Sequence, residues 1–239
     1  MRATAALFLG ALLFPTASSA VQLRPDVSVR GWFFGAKGTV TGTDLETLGF
    51  DHQKVQPEFR GGLQIGDRHH VEISYLRIRR TEEGVVSGQI LGLIRFQDPT
   101  SLEISVDDLR FHYGYSLLAG DWLDLQPFFE LAYLREESTT TEQALGQTNH
   151  QKQSPVFPLP GLQIVLAPAF PVRLKARAEG IGTGGQHLID VEGGAELALG
   201  YGFAGLGYRH VAGLFKNDAD QDIADVRLDG VYLQGGVRF

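Results

Sequence analysis

Apolar and polar residues alternate with a period of two over much of this chain, and that pattern constrains its fold more than any other feature. In residues 55–66, for example, Phe59 and Leu63 fall on one face while Glu58 and Arg60 fall on the other. Successive side chains of a β-strand point to opposite faces of a sheet. The alternation therefore predicts an all-β chain whose strands each have one apolar and one polar face.

The pattern predicts ten antiparallel strands, although eight or twelve remain open. Their boundaries, uncertain by a few residues, are 27–38, 55–66, 70–80, 106–117, 122–135, 157–166, 171–180, 187–200, 203–214 and 227–239. Residues 89–96 resemble an extra strand that could form a hairpin with 102–106. Pro158 and Pro160 cannot donate to a ladder, so we expect the outer end of the sixth strand to be irregular. Pro127, inside the fifth strand, also lacks an N–H group for the ladder.

Connections between the predicted strands alternate in length. Those near 67–69, 118–121, 167–170 and 201–202 are short, whereas those near 39–54, 81–105, 136–156 and 215–226 are long and polar. The connection at 181–186 is short, although it falls on the long-loop side. Short turns at one end and longer loops at the other are typical of transmembrane β-barrels with an even strand number.

Residues 1–20 have the character of a secretory signal peptide. Arg2 supplies a positive start, residues 5–14 are apolar, and Ser18 and Ala20 are small residues where a signal peptidase reads the chain. The sequence thus predicts a signal peptide at 1–20 and one barrel domain at 21–239. No later stretch is apolar for eighteen residues, which excludes a transmembrane helix from that domain.

The amino-acid composition excludes some classes of protein and favours others. There are no cysteines, so disulfides cannot hold an exported domain together. Without Arg2, 20 basic residues face 28 acidic ones, a net charge of about −8, which argues against a nucleic-acid partner. The 30 glycines and 15 phenylalanines favour closed β-structure.

A soluble β-sandwich and a transmembrane barrel share this alternation but orient it oppositely. In the barrel, apolar side chains face lipid and polar ones face the lumen. Aromatic residues near the ends of the apolar faces favour the barrel, as interfacial girdles: Tyr75, Tyr113, Tyr115, Tyr133, Phe203 and Tyr208.

The polar faces carry charges of both signs in equal number, which suits a closed lumen. The eight basic candidates are Arg30, Arg60, Arg110, Arg173, Lys175, Arg177, Arg209 and Arg238. The eight acidic candidates are Glu58, Glu72, Asp124, Glu130, Glu179, Asp190, Glu192 and Glu196.

Two hairpin registers would place such charges directly opposite each other. A turn centred on Thr183 and Gly184 sets Lys175 across from Glu192 and Arg177 across from Asp190. A turn centred on Gly120 sets Arg110 across from Glu130. Opposite charges across a ladder stabilise a pair of strands by a few tenths of a kcal/mol. A shift of two residues would re-pair all of these groups.

The C-terminus carries a resemblance to a known group. Alternate positions hold Val231, Leu233, Gly235, Val237 and the terminal Phe239. This pattern resembles the assembly signal of Gram-negative outer-membrane proteins, which implies recognition by the barrel assembly machinery; Gly235 departs from the usual large apolar residue.

The whole domain resembles the small outer-membrane β-barrel superfamily, and residues 44–51 resemble a first-loop motif of its uncharacterised members. That resemblance implies a location in the outer membrane, in contact with its lipid and lipopolysaccharide.

No motif in the sequence predicts catalysis. Asp107, Asp108 and His210 lie near the expected outer rim, but their spacing differs from that of the outer-membrane aspartyl-type proteases, and no nucleophile has an adjacent base. His69 and His70 are adjacent, so their side chains point to opposite faces and make a poor metal site. The acidic run 217–222 lacks the glycine and distal glutamate of a calcium loop.

Charge pairing across eight to ten strands predicts a narrow or largely filled lumen. We therefore expect a structural or interaction protein with no cofactor, metal or enzyme activity. The alternative is a narrow channel for small solutes, and the weakest alternative is an enzyme at the outer rim.

Overall fold

A computed structural model describes residues 22–40, 43–46, 50, 52–85, 88–90, 94–96, 99–142, 147–166, 171–183, 186–216 and 222–239. The predicted signal peptide and most of the acidic run 217–222 lie outside these residues, so both remain predictions. No helix within the described ranges is long and apolar enough to cross a membrane.

Ten long strands make up the architecture, in agreement with the predicted number. They are β1 (Leu23–Val40), β2 (Lys54–Ile65), β3 (His69–Val85), β4 (Pro99–Tyr115), β5 (Leu123–Glu142), β6 (Val156–Leu166), β7 (Val172–Thr183), β8 (Gln186–Leu199), β9 (Gly202–Lys216) and β10 (Asp222–Arg238). Each pairs antiparallel with the strand before it and the strand after it in sequence. β10 pairs with β1 from Asp26↔Arg238 to Val40↔Ala224, which closes the sheet into a barrel.

Both described ends of the sheet meet at one end of the barrel. We call it the terminal end; it holds Leu23, Arg238 and the turn at Gly66, whose φ of 61° lies in the left-handed region that glycine adopts freely. The opposite end, where the long connections lie, is called the hairpin end.

The long connections at the hairpin end are largely strand, which corrects the predicted loops at 81–105 and 136–156. β3 and β4 remain paired out to Val85↔Pro99, and β4 and β5 out to Thr100↔Glu142. A further strand, Gln147–Gln153, pairs with the end of β5. The predicted pairing of 89–96 with 102–106 is wrong: Gly88–Ile90 pairs with Ile94–Phe96, and 102–106 belongs to β4.

The prolines of β6 act as the sequence predicts. β6 pairs with β5 along its whole length, but with β7 only from Gly161 to Leu166. Pro158 and Pro160 lie in the half that has a single neighbour, where a missing N–H group costs no ladder bond. Pro127 is in the same position on β5: it lies opposite Leu162 of β6, but β4 pairs with β5 only as far as Phe128.

The outer wall of the barrel is apolar. Every strand exposes large apolar side chains there, among them Val29, Phe59, Ile73, Phe111, Phe129, Leu162, Leu174, Val191, Leu206 and Leu233. A water-soluble β-sandwich would bury such a face, so the exposed belt identifies the surface that contacts lipid.

Aromatic side chains follow the edges of this belt. Tyr75, Tyr113, Tyr133 and Tyr208 are exposed on it, as predicted. The prediction is wrong for Phe203, which is buried in the lumen with the Arg238 guanidinium 4.8 Å from its ring.

Glycines make room for bulky side chains inside the barrel. A Cβ atom on Gly161 would overlap the ring of Phe128, and one on Gly207 would overlap the ring of Tyr232. Each aromatic side chain therefore lies across a glycine of the neighbouring strand. This arrangement allows a ten-stranded barrel to fill its interior.

Candidate functional site in the barrel lumen

Charged side chains form one continuous network across the middle of the lumen. On the β1–β2 side, Arg30 pairs with Glu192 at 2.6 Å and lies 3.7 Å from Glu58, and Arg60 pairs with Glu58 at 2.7 Å. Arg60 also reaches Glu72 on β3 at 3.5 Å. These groups come from β1, β2, β3 and β8, so the contacts cross the barrel as well as the ladder.

The other half of the network is centred on Arg110. Its Nη1 donates to Glu130 at 3.1 Å and to Glu179 and Asp190 at 2.9 Å each, and its Nε donates to Asp108 at 2.8 Å.

Two more guanidinium groups complete it. Arg177 donates to Glu130 and, at 2.9 Å, to Glu179. Arg209 donates to Asp190 at 2.5 Å and lies 3.5 Å from Glu58, which joins the two halves. Five guanidinium groups are thus shared among seven carboxyl groups.

Both predicted hairpin registers are wrong by two residues. Arg177 pairs with Glu192 across the β7–β8 ladder, and Lys175 with Gly194. On β4, Arg110 pairs with Ala132 rather than Glu130. Arg110 still reaches Glu130, but diagonally, because long side chains in a narrow lumen are not confined to the residue directly opposite.

Sequence reasoning missed several members of this interior. Asp108 was considered as a rim residue, yet it is buried in the network beside Arg110. Arg30 lies over the ring of Tyr232 at 3.8 Å, and Arg209 over the ring of Trp32 at 4.8 Å. Such cation–π contacts need a desolvated aromatic face, which the alternation pattern does not reveal.

An apolar layer closes the lumen between the network and the hairpin end. It is built from buried Trp32, Phe34, Leu76, Tyr232, Ala132, Leu159 and Leu188, with Ile78, Phe157, Ile181, Val211 and Leu228 packed against them. The expectation of a wholly polar lumen therefore holds for only part of its length.

Two residues of the first external connection, between β1 and β2, are buried at the hairpin end. Leu45 and Phe50 are each 3% exposed, and the Phe50 carbonyl accepts hydrogen bonds from Ala36 N at 2.8 Å and Arg80 Nη1 at 2.5 Å. Arg80 Nη2 also donates to the His52 carbonyl at 2.8 Å. Leu45 and Phe50 belong to the predicted first-loop motif 44–51, and Arg80 binds this connection at Phe50 and His52.

A vestibule occupies the lumen at the terminal end. Its cavity, of about 190 Å³, is lined by the remaining predicted lumen charges, Asp124, Arg173, Lys175, Glu196 and Arg238, together with Asp26, His70 and neighbouring residues. In the central network, by contrast, the gap measures only about 10 Å³.

The residues considered for catalysis are separated. Asp108 faces the network, and Asp107 lies on the outer wall, where it accepts a hydrogen bond from Tyr75 at 2.6 Å. His210 Nδ1 lies 2.5 Å from Asp229 across the β9–β10 ladder, a contact that its sequence neighbours did not reveal. His210 shares Asp229 with the exposed Tyr208 on the outer wall of β9, Asp107 lies on the outer wall of β4, and Asp108 faces the lumen, so these groups form no common site.

Metal binding finds no support in the described residues, which contain no cluster of three or more potential ligands. His69 contacts the Tyr113 hydroxyl at 2.9 Å, and His70 contacts Ser116 Oγ at 3.0 Å. The two histidines thus have different partners, as their adjacency implies.

A polar collar lies on the outer wall beyond the apolar belt, towards the hairpin end. Asp107 is 3.5 Å from Arg77, and Glu137 is paired with Arg135 at 2.7 Å and with Lys152 at 3.2 Å. Hydrogen bonds from Arg135 and then Lys152 hold the pKa of the Glu137 carboxyl below its ordinary value.

A closed antiparallel sheet with an apolar exterior and a charged interior defines a transmembrane β-barrel protein. Its fold is that of the outer-membrane β-barrels of Gram-negative bacteria, in a ten-stranded form. In barrels of this fold, the end with the short turns faces the periplasm and the end with the long hairpins faces the cell exterior.

Comparison with known proteins finds similar solved structures. The translocator domain of the autotransporter NalP from Neisseria meningitidis superposes with a TM-score of 0.51 at 14% identity, covering 93% of this chain and 90% of that one. The outer-membrane protease OmpT from Escherichia coli gives 0.49 at 7% identity, with 94% and 99% covered. Ail of Yersinia pestis, in complex with the heparin analogue sucrose octasulfate, gives 0.44 at 12% identity, with 91% and 99% covered. No protein-family model and no curated protein matches the sequence.

Proposed function

We propose that this protein is a non-conducting outer-membrane barrel with a structural or interaction role, exercised through its outer wall and external hairpins. The observation that carries the proposal is the filled lumen. A gap of about 10 Å³ in the charge network is close to the smallest volume that holds one water molecule. The apolar layer around Trp32 and Phe34 stands in series with it, so a solute would have to displace both.

The extended hairpins favour an interaction role. β3, β4, β5 and the strand Gln147–Gln153 continue together beyond the collar and form a wall on one side of the mouth. In the described sheet, Gln147–Gln153 pairs only with β5, so its other edge offers backbone donors and acceptors to a partner. Its sequence, QTNHQKQ, is polar, which suits a strand exposed outside the cell.

The outer wall of the barrel has two surfaces suited to contact with lipid. The apolar belt suits acyl chains, and the collar around Arg77, Arg135 and Lys152 suits the phosphate-bearing headgroup region of lipopolysaccharide. We assign the C-terminal pattern ending in Phe239 to recognition by the barrel assembly machinery. Its members Val231, Leu233, Val237 and Phe239 all point outward and are exposed.

Planar bilayer recording tests the proposal against its main alternative. We expect silent bilayers when heat-modifiable migration in gel electrophoresis shows that the barrel is folded. Reproducible single-channel currents would instead support a narrow pore, in which replacing Arg173, Lys175 and Arg177 with alanine should change ion selectivity. Hydrolysis of lipid or peptide substrates by the folded barrel would support a rim enzyme.

A further inference from the structure

The vestibule at the periplasmic end is lined by two charged side chains that have no partner in the described part of the chain. Lys175 on β7 and Asp26 on β1 both line its 190 Å³ cavity. Within the described part of the chain, neither side chain forms a hydrogen bond or an ion pair. Partly buried charges are normally paired, because leaving water costs free energy that only a partner restores.

The cationic side of the vestibule has a surplus of charge. Glu196 is the shared partner of Arg238, whose Nη1 lies 3.0 Å away, and of Arg173, whose Nη1 lies 3.9 Å away. Lys175 lines the same cavity, and Glu72, a second carboxylate in the lining, is paired with Arg60 at 3.5 Å. This side of the cavity suits an incoming anionic group such as a carboxylate.

The walls contain further unsatisfied polar atoms. Gln126 is 1% exposed and its Nε2 has no hydrogen-bond partner. Oδ1 of Asp124 also lacks one, and Nδ1 of the buried His112 is 3.8 Å from the Glu130 carboxylate, beyond hydrogen-bond distance. All three side chains line the same cavity. Native interiors satisfy nearly all buried polar atoms, so such a group of orphans indicates a site that is completed by water or a solute.

We propose that the vestibule binds a small zwitterion of the amino-acid class from the periplasm. Its carboxylate would lie against Lys175, Arg173 and Arg238, and its ammonium group would lie against Asp26. Such a ligand supplies one partner for each unused charge, which neither an anion nor a cation alone can do. A cavity of about 190 Å³ is below the roughly 300–1,000 Å³ of typical drug-sized sites, which restricts the ligand to a small molecule.

Three compounds with closely matched skeletons test this proposal: alanine carries both charges, propionate only the carboxylate and ethylamine only the ammonium group. Calorimetric titration of the folded barrel in detergent should give saturable alanine binding with a dissociation constant on the order of 1 mM. Propionate and ethylamine should each bind at least about tenfold more weakly, which corresponds to 1.4 kcal/mol.

Two vestibule variants test which side chain binds the carboxylate and which binds the ammonium group. Lys175→Met should weaken alanine and propionate binding alike, whereas Asp26→Asn should weaken alanine binding until it equals that of propionate. Arg79→Gln, on the outer wall, should leave all three affinities unchanged. Heat-modifiable migration checks that each variant is folded.

A stability measurement separates binding from a structural role. Because Lys175 forms no ion pair within the described residues, Lys175→Met should unfold at an unchanged or higher temperature without ligand, and should lose the stabilisation that alanine gives the wild type. Failure of alanine to saturate, equal binding of alanine and propionate to the wild type, or full alanine affinity in Lys175→Met would each overturn the proposal. None of these outcomes bears on whether the lumen conducts.

Discussion

Arg110 offers a direct measurement of what the lumen network contributes to stability. Replacing it with methionine keeps most of the side-chain volume and removes the charge that four carboxyl groups share. Asp190 would keep Arg209, and Glu130 and Glu179 would keep Arg177. Asp108, which is 6% exposed, would keep no ion pair, because Arg110 is its partner in the network.

The expected loss of stability comes from the Asp108 carboxylate, which would be buried without a partner. Removing one partner of a buried ion pair costs about 3–5 kcal/mol, most of it from the uncompensated charge that remains. Arg110→Met should therefore lower the free energy of unfolding by about that amount. Adding Asp108→Leu should restore at least about half of the loss, since two apolar residues can replace a buried pair with little net cost.

Urea unfolding in lipid vesicles measures these differences, with the fluorescence of the two tryptophans as the signal: Trp32 in the lumen and Trp122, which is 69% exposed. Arg79→Gln is the control, since its ion pair with Glu103 is exposed and should contribute no more than about 1 kcal/mol. The reasoning fails if Arg110→Met unfolds within 1 kcal/mol of the wild type, or if the added Asp108→Leu lowers stability further.

Two further substitutions test the exterior and the mouth. Leu206, which is 63% exposed on β9, lies within the apolar belt. Leu206→Arg should therefore lower the free energy of unfolding in vesicles by about 2–4 kcal/mol, against about 0–1 kcal/mol for Leu199→Arg near the periplasmic edge. Equal small effects would indicate that no lipid covers this face. Arg80→Met removes hydrogen bonds to two carbonyl groups of the first external connection. It should make that connection more sensitive to protease while the barrel stays folded, and unchanged cleavage would show that Arg80 does not hold it.

The sequence by itself determined the strands and the direction of their faces. A period of two leaves little freedom: Phe59 and Arg60 must point to opposite sides of the sheet, and the exposed Phe59 shows which side meets lipid. The charges on the polar faces and the glycine-rich composition then favoured a closed barrel over a soluble sandwich, and an open apolar sheet would leave unpaired edges in the membrane.

Tertiary structure decided the pairings inside the lumen. Ladder registers depend on the conformation of each turn, and a shift of two residues preserves every face, so the pattern could not distinguish Arg177 opposite Asp190 from Arg177 opposite Glu192. The Arg110–Asp190 contact joins β4 to β8 across the barrel, and no local pattern encodes such a distance in the chain.

The vestibule and the apolar layer were likewise invisible in the sequence. Trp32 and Phe34 look like a break in the alternation of β1, yet both point inward and close the lumen. Lys175 and Asp26 carry the same residue-level signal as the paired charges around them. Whether a charged side chain forms a salt bridge depends on how strands distant in sequence are placed around the barrel. The energy of the pair depends on the distance between the two charges, and that distance is set only by the folded structure.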